Sequence, residues 1–235
     1  MAKGDLVTRE VTYVGRACGI KAYVAEPLAS DSPPAVIVVQ EWWGLNEHIR
    51  DIARRLARAG YFSVAPDLFS RQGHKVATDP NEAARLMGGL KKEDGIADLQ
   101  TTMGWLRAQE QTRTARIGIT GFCMGGSYAM LLPCESKEIA AAAPFYGEVP
   151  PDEKLEHLGC PIFYAYGEND GWIQRADVER LGTALKKFNK PGEFKIYSGC
   201  SHGFFNDTRA DVYRPEEAKD AWDRMLKLFA ANLKG

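Results

Sequence analysis

The sequence predicts an α/β fold: a mostly parallel central sheet flanked by helices, with an antiparallel hairpin at its N-terminal edge. Three observations carry this. Short, wholly apolar runs such as residues 35–39 alternate with amphipathic stretches such as residues 48–59, the pattern of parallel strands covered by helices. Residues 7–14 and 20–24 alternate polar and apolar side chains instead, as half-buried hairpin strands do. Finally, Gly121-Phe122-Cys123-Met124-Gly125 reads as a tight strand-to-helix turn between an apolar run and a small-then-apolar helix.

Taken in order, the hairpin is followed by a strand at residues 35–39, a helix at 48–59 closed by Gly60, and a strand at 61–65 closed by Pro66-Asp67. Asp79-Pro80-Asn81-Glu82 supplies an N-cap acid, a proline at the first helical position and a glutamate at the third, predicting a helix to about Met87. A second helix places Ile96, Leu99, Met103 and Leu106 on one face. Residues 115–120 form the strand before the Cys123 turn, and residues 126–132 the helix after it. Strands follow at 161–166 and 194–197, the latter broken by Ser198-Gly199. The last two helices span 176–188, with Val178, Leu181, Leu185 and Phe188 inward, and 215–233, with Trp222, Met225, Leu226 and Phe229 inward.

A chain of 235 residues fits one domain, residues 1–235, and shows no internal repeat or linker. Thirty basic against thirty-one acidic residues, with no block of like charge, argue against nucleic acid or an anionic membrane as partner and leave a small molecule. A monomer or homodimer is expected. The first residues lack the apolar core of a secretory leader, so the mature chain is expected to start near Met1, and no apolar run is long enough to span a bilayer. Five cysteines without framework spacing suit a reducing cytoplasm, with Cys18, Cys134, Cys160 and Cys200 expected as buried thiols.

Chemistry concentrates at strand ends. Glycines two residues either side of Cys123 force a strained turn that exposes its side chain, and the helix starting there favours a thiolate and an oxyanion. The competing reading is a small thiol filling a tight contact. An acid and a histidine must follow a nucleophile of this kind, and both do: Asp170 beyond the strand at 161–166, with Glu168 as rival, and His202 beyond the strand at 194–197. Cysteine, aspartate and histidine are thereby expected on three successive strand-end loops. His48, His74 and His157 fit a base less well. A zinc site on Cys200 and His202 would need two more ligands at compatible spacing, and no nucleotide-binding glycine pattern follows any strand, so neither metal nor cofactor is expected. Two other readings stay open: a catalytically silent binding scaffold, and a redox role for Cys123 with Cys134 or Cys200 as resolving thiol.

Gln40-Glu41-Trp42-Trp43-Gly44-Leu45-Asn46, Pro66-Asp67-Leu68-Phe69-Ser70-Arg71-Gln72 and Gly121-Phe122-Cys123-Met124-Gly125-Gly126 together resemble the dienelactone hydrolase family, from about Pro33 to the C-terminus. The resemblance implies an α/β-hydrolase fold and hydrolysis of an ester or lactone through a thioester. Residue by residue it implies Cys123 as nucleophile, His202 as base, Asp170 as orienting acid and Glu41 as the carboxylate that restrains the resting thiol. The oxyanion donors are expected to be the N–H groups of Met124 and, from the loop after residues 35–40, Trp42. The family grips a substrate carboxylate with two arginines. Arg85 stands near the first position and Asn206 at the second, which turns the expectation toward uncharged esters and lactones. The substrate pocket is expected near Trp42, Trp43, Tyr146, Trp172, Phe204 and Phe205.

Overall fold

Apolar strands and amphipathic helices alternate through a computed structural model that describes residues 5–28 and 30–234. Residues 1–4, part of the segment on which the leader reading rests, lie outside the described residues. The chain divides into two compact units, Met1–Ile117 and Gly118–Gly235.

In the first unit, β1 (Leu6–Val14) and β2 (Gly19–Pro27) form the expected antiparallel hairpin. Then come β3 (Ala35–Val39), α1 (Glu47–Arg58), β4 (Phe62–Pro66), α2 (Pro80–Gly88) and α3 (Lys92–Ala108). The strands lie in the order β1-β2-β4-β3, with β3 parallel to β4 and β2 antiparallel to it. Every residue of β3 and β4 is buried; the one polar residue among them, Ser63, donates its hydroxyl to the Ala53 carbonyl (2.7 Å), and α1 lays Ile49, Ile52, Ala53 and Leu56 into that core. The cap of α2 forms as expected: the Asp79 side chain accepts from the N–H groups of Asn81 (2.9 Å) and Glu82 (3.1 Å). The Glu82 carboxylate reaches back one residue further than a standard capping box, to the Thr78 N–H.

In the second unit, β5 (Ile117–Phe122), α4 (Met124–Glu135), β6 (Ile139–Phe145), the short α5 (Asp152–Leu155), β7 (Ile162–Asn169), α6 (Arg175–Lys187), β8 (Gly192–Ser201) and α7 (Pro215–Leu233) follow one another, with strand order β5-β6-β7-β8. β6, β7 and β8 are parallel. β6 corrects the expectation of successive loops, because it intervenes between the strands carrying Cys123 and Asp170. Its sequence, IAAAAPF, carries no β-branched or aromatic signal except at its ends. β8 also runs through Ser198-Gly199 rather than stopping there. Gly199 takes φ +70°, and the ladder with β7 shifts register between Gly167 and Asn169. Such a bulge re-aims the residues beyond it. α7 buries Ala218, Ala221, Met225, Phe229 and Leu233, so its inward face is rotated from the one expected, with Trp222 and Leu226 only half-buried. Gly118 explains the fit, since a Cβ there would lie 2.7 Å from Leu233 Cδ1.

Candidate active site

The turn between β5 and α4 is built by backbone contact. Cys123 caps α4 at φ 57° and ψ −120°, a left-handed region costly for a non-glycine residue. A Cβ on Gly121 would fall 2.1 Å from the Gly125 carbonyl oxygen, on Gly126 2.3 Å from the Phe145 oxygen, and on Gly147 2.1 Å from the Gly126 carbonyl carbon. Only glycine lets these three segments touch. The Cys123 N–H donates to the Phe145 carbonyl (3.1 Å), and the Tyr146 N–H to the Ala165 carbonyl (2.8 Å). The C-terminal ends of β5, β6 and β7 are thereby stitched together, with that of β8 following through the Asn169–Ser201 pairing. Cys123 is therefore held at the carboxyl edge of these strands, directly ahead of a helix whose first N–H groups have no intrahelical acceptor. Met124 supplies the first of them.

Asp170 and His202 sit on the same edge, each immediately past its strand, β7 and β8. Asp170 Oδ2 lies 2.8 Å from His202 Nδ1, while Oδ1 accepts the N–H groups of Trp172 and Ile173, both at 2.8 Å. The carboxylate is completely buried. A carboxylate only accepts, so Nδ1 carries the imidazole proton and Nε2 presents its lone pair. Nε2 is buried and has no hydrogen-bond partner. Two aromatic edges fix the ring: Tyr146 at 4.9 Å and Trp172 at 5.2 Å between centroids. Tyr146, itself at φ 39°, also lies 6.3 Å from Phe122, so one ring connects the elbow side of the site to the imidazole. Sequence reasoning did not anticipate this strained position; the glycine that follows it is the only local signal.

Glu168, the rival acid, is engaged elsewhere. It accepts from Ser198 Oγ (2.7 Å) and the Gly199 N–H (3.1 Å), bonds that hold its carboxyl below the usual range and that brace the β8 bulge.

Cys134, Cys160 and Cys200 are buried as expected, and burial pushes their thiols up to about 11, about 12 and about 11. Cys18, by contrast, is half-exposed. Cys134 lies at the far end of the helix that Cys123 caps, about 16 Å away at 1.5 Å per residue, too far for a disulfide. Among the described residues no group of three or more His, Cys, Asp or Glu could hold a metal ion.

Phe204 is fully buried against Tyr146 and Tyr197. Asn206 is buried too, and its Oδ1 accepts from the Thr208 N–H (3.0 Å) and hydroxyl (2.6 Å), fastening the loop after His202. Arg209, on that loop, pairs with Asp211 (2.6 Å). In the first unit, Glu41 is buried directly after Gln40, and Trp42 and Trp43 follow it half-buried, edge to face at 5.1 Å. Arg71 forks onto the fully buried Asp98, whereas Arg85 is 61% exposed on α2. His48 is buried in α1, and His74 faces Asp67 at 3.1 Å.

Comparison with known proteins decides the family, because the sequence profile of the Dienelactone hydrolase family matches residues 20–233. The chain belongs to the dienelactone hydrolase family. A Synechocystis relative, provisionally named carboxymethylenebutenolidase, is 33% identical over 98% of this chain and 99% of its own length. One from Escherichia coli K12 with the same provisional name is 38% identical over 88% of this chain and 81% of its own. The crystal structure of a Klebsiella pneumoniae protein provisionally named dienelactone hydrolase superposes with a TM-score of 0.87 at 34% identity, covering 96% of this chain and 99% of that one. A Pyrobaculum calidifontis esterase shares the fold at a TM-score of 0.70 and 17% identity, over 94% of this chain and 83% of that one. The protein is thus a hydrolase of this family, with its α/β fold. No helix among the described residues is long and apolar enough to cross a membrane.

Proposed function

We propose that the protein hydrolyses small carboxylic esters or lactones through an acyl-cysteine on Cys123, within a single domain of residues 1–235 working in a reducing, cytoplasmic setting. One observation carries the reading: an imidazole whose Nδ1 is tied to a buried carboxylate, leaving its buried Nε2 as an acceptor on the edge where the strained Cys123 caps a helix. His202 Nε2 takes the thiol proton, and the thiolate adds to the substrate carbonyl carbon. The resulting oxyanion is met by the N–H groups of Met124 and Trp42. Collapse expels the alkoxide, which takes its proton from His202. Water then adds to the thioester, giving its proton to the same nitrogen, and the acid leaves as Cys123 is restored.

Glu41 restrains the resting thiol, since a buried carboxylate opposes a second negative charge beside it. Trp43, half-buried, and Trp172, exposed, are the apolar contacts for substrate; Tyr146 and Phe204, expected beside them, are fully buried and support the His202 ring and its loop from behind instead. Asn206, already bonded within its own loop, supports a preference for uncharged substrates, with Arg85 the candidate contact for any carboxylate.

A screen of p-nitrophenyl esters and lactones, with mass spectrometry of enzyme quenched during turnover, tests the reading. An acyl adduct on the Cys123 peptide is expected, and full activity in Cys123→Ala overturns it. Glu41→Gln is expected to change both turnover and the rate of iodoacetamide alkylation of Cys123; no change in either removes Glu41 from the mechanism.

A further inference from the structure

The loop after β4 holds a second carboxylate–imidazole pair that the chemistry above leaves unused. Asp67 is buried, accepts the Phe69 N–H through Oδ1 (2.9 Å) and faces His74 Nδ1 through Oδ2 (3.1 Å). Burial pushes its carboxyl up, while His74 and Lys21 pull it down. His74 stands at φ 58°, where glycine or asparagine is the easier residue, so its backbone position is not explained by the turn alone. Its ring reaches back to Asp67, and its N–H donates to the Phe69 carbonyl (3.2 Å), so the segment is folded onto its own beginning.

That segment grips the turn after β3 at three points. The Leu68 N–H donates to Gln40 Oε1 (3.3 Å), and the Ala77 N–H to the Trp43 carbonyl (2.9 Å). Gly44, at φ 94°, lies so close that a Cβ on it would be 2.6 Å from the Lys75 carbonyl oxygen. Gln40, Trp43 and Gly44 bracket Glu41 and Trp42. The Asp67–His74 bond closes the loop over residues 67–74, setting the end that carries the first tie, at Leu68, beside the end that leads into the other two, at Lys75 and Ala77.

We propose that Asp67 and His74 are positioning residues that hold the Gln40–Gly44 turn, and with it the Trp42 N–H and the Glu41 carboxylate. Their effect on catalysis rests on the roles given to Glu41 and Trp42 above. Their effect on the turn does not.

His74→Asn separates the two, because asparagine accepts the left-handed backbone but is too short to reach Asp67. Hydrogen–deuterium exchange of a peptide covering residues 41–46 is expected to quicken about tenfold, with the β7 peptide unchanged. For a p-nitrophenyl ester, kcat is expected to fall about tenfold with KM within twofold, since displaced donors weaken the transition state more than substrate binding. Asp67→Ala should behave like His74→Asn. Asp67→Asn, whose amide can donate to an unprotonated imidazole nitrogen, should restore both exchange and kcat to within about threefold of the parent protein. Unchanged exchange at residues 41–46 in His74→Asn overturns the clamp whatever the activity does. Faster exchange with unchanged kcat overturns its catalytic role. If Cys123→Ala remains fully active the cysteine mechanism fails, and the exchange measurement still decides the clamp.

Discussion

Asp170→Asn is the sharpest test of the site, because the geometry separates its structural and catalytic consequences. The wild-type carboxylate serves two ends: Oδ1 accepts the Trp172 and Ile173 N–H groups, and Oδ2 accepts from His202 Nδ1. Asparagine keeps its oxygen for the two backbone donors and offers –NH2 to the imidazole. That group can only donate, so Nδ1 must give up its proton and Nε2 must carry it. A histidine in that tautomer cannot take a proton from Cys123.

Tautomer reversal of this kind in a serine-dependent triad costs about 10⁴ in kcat, and a thiol, more acidic than a hydroxyl, loses less. The expected loss is about 10³–10⁴-fold, or about 4–5.5 kcal/mol in the barrier. Stability should move by less than about 1 kcal/mol, since both backbone hydrogen bonds survive. Asp170→Ala removes those as well and should also destabilise the protein, by about 1–3 kcal/mol. Steady-state hydrolysis beside urea unfolding gives both numbers. Glu168→Gln is the control and should cost less than about threefold, because Glu168 bonds only Ser198 and Gly199 and an exposed Arg175. Retention of activity within fivefold in Asp170→Asn would refute the assignment of acid and base.

At pH 8, iodoacetamide should leave Cys134, Cys160 and Cys200 unmodified, as burial keeps them protonated; peptide mapping reads this directly. Their folded-state values are raised, so the unfolded chain sheds these protons first as pH climbs. Stability should accordingly be full below about pH 8.5 and decline between there and about pH 12, less steeply in Cys→Ala variants at these positions, as urea titrations will show. Gly104→Ala, at an exposed position within α3 where a Cβ meets nothing within 4 Å, should stabilise by about 1 kcal/mol and raise Tm by about 2–4 °C in calorimetry. Gly147→Ala should instead destabilise by more than about 3 kcal/mol or fail to fold, because backbone atoms lie where the methyl would sit.

What could be read from the sequence was whatever leaves a chemical or periodic mark on the chain. The apolar runs of β3 and of residues 162–166 in β7 announce strands, and the glycines around Cys123 announce a turn no other residue permits. β6 escaped for the opposite reason. Alanine is the best helix former and a poor strand former, so IAAAAPF has no local reason to extend. Its small side chains serve packing instead, for both α4 and α7 lie on it. The Glu168–Asp170 ambiguity had the same root: two acids two residues apart near a strand end look alike until the bulge in β8 decides which of them meets His202 and which meets Gly199.

The two strained residues of the site, Cys123 and Tyr146, are adjacent for a reason that only the fold supplies. Each follows a neighbouring strand, β5 or β6, each takes a positive φ, and one hydrogen bond, from the Cys123 N–H to the Phe145 carbonyl, joins the strand ends from which they turn. Left-handed residues of this kind cost on the order of 1–3 kcal/mol apiece and persist only where the surroundings over-determine them. Here the surroundings are Gly121, Gly126 and Gly147, whose bare backbones let β5, α4 and the end of β6 close to contact. The strain is therefore held by the packing of rigid elements, not by flexible loops. It keeps the thiol at a helix N-terminus and Tyr146 beside the His202 ring, and relaxation of either residue would displace a partner of the other.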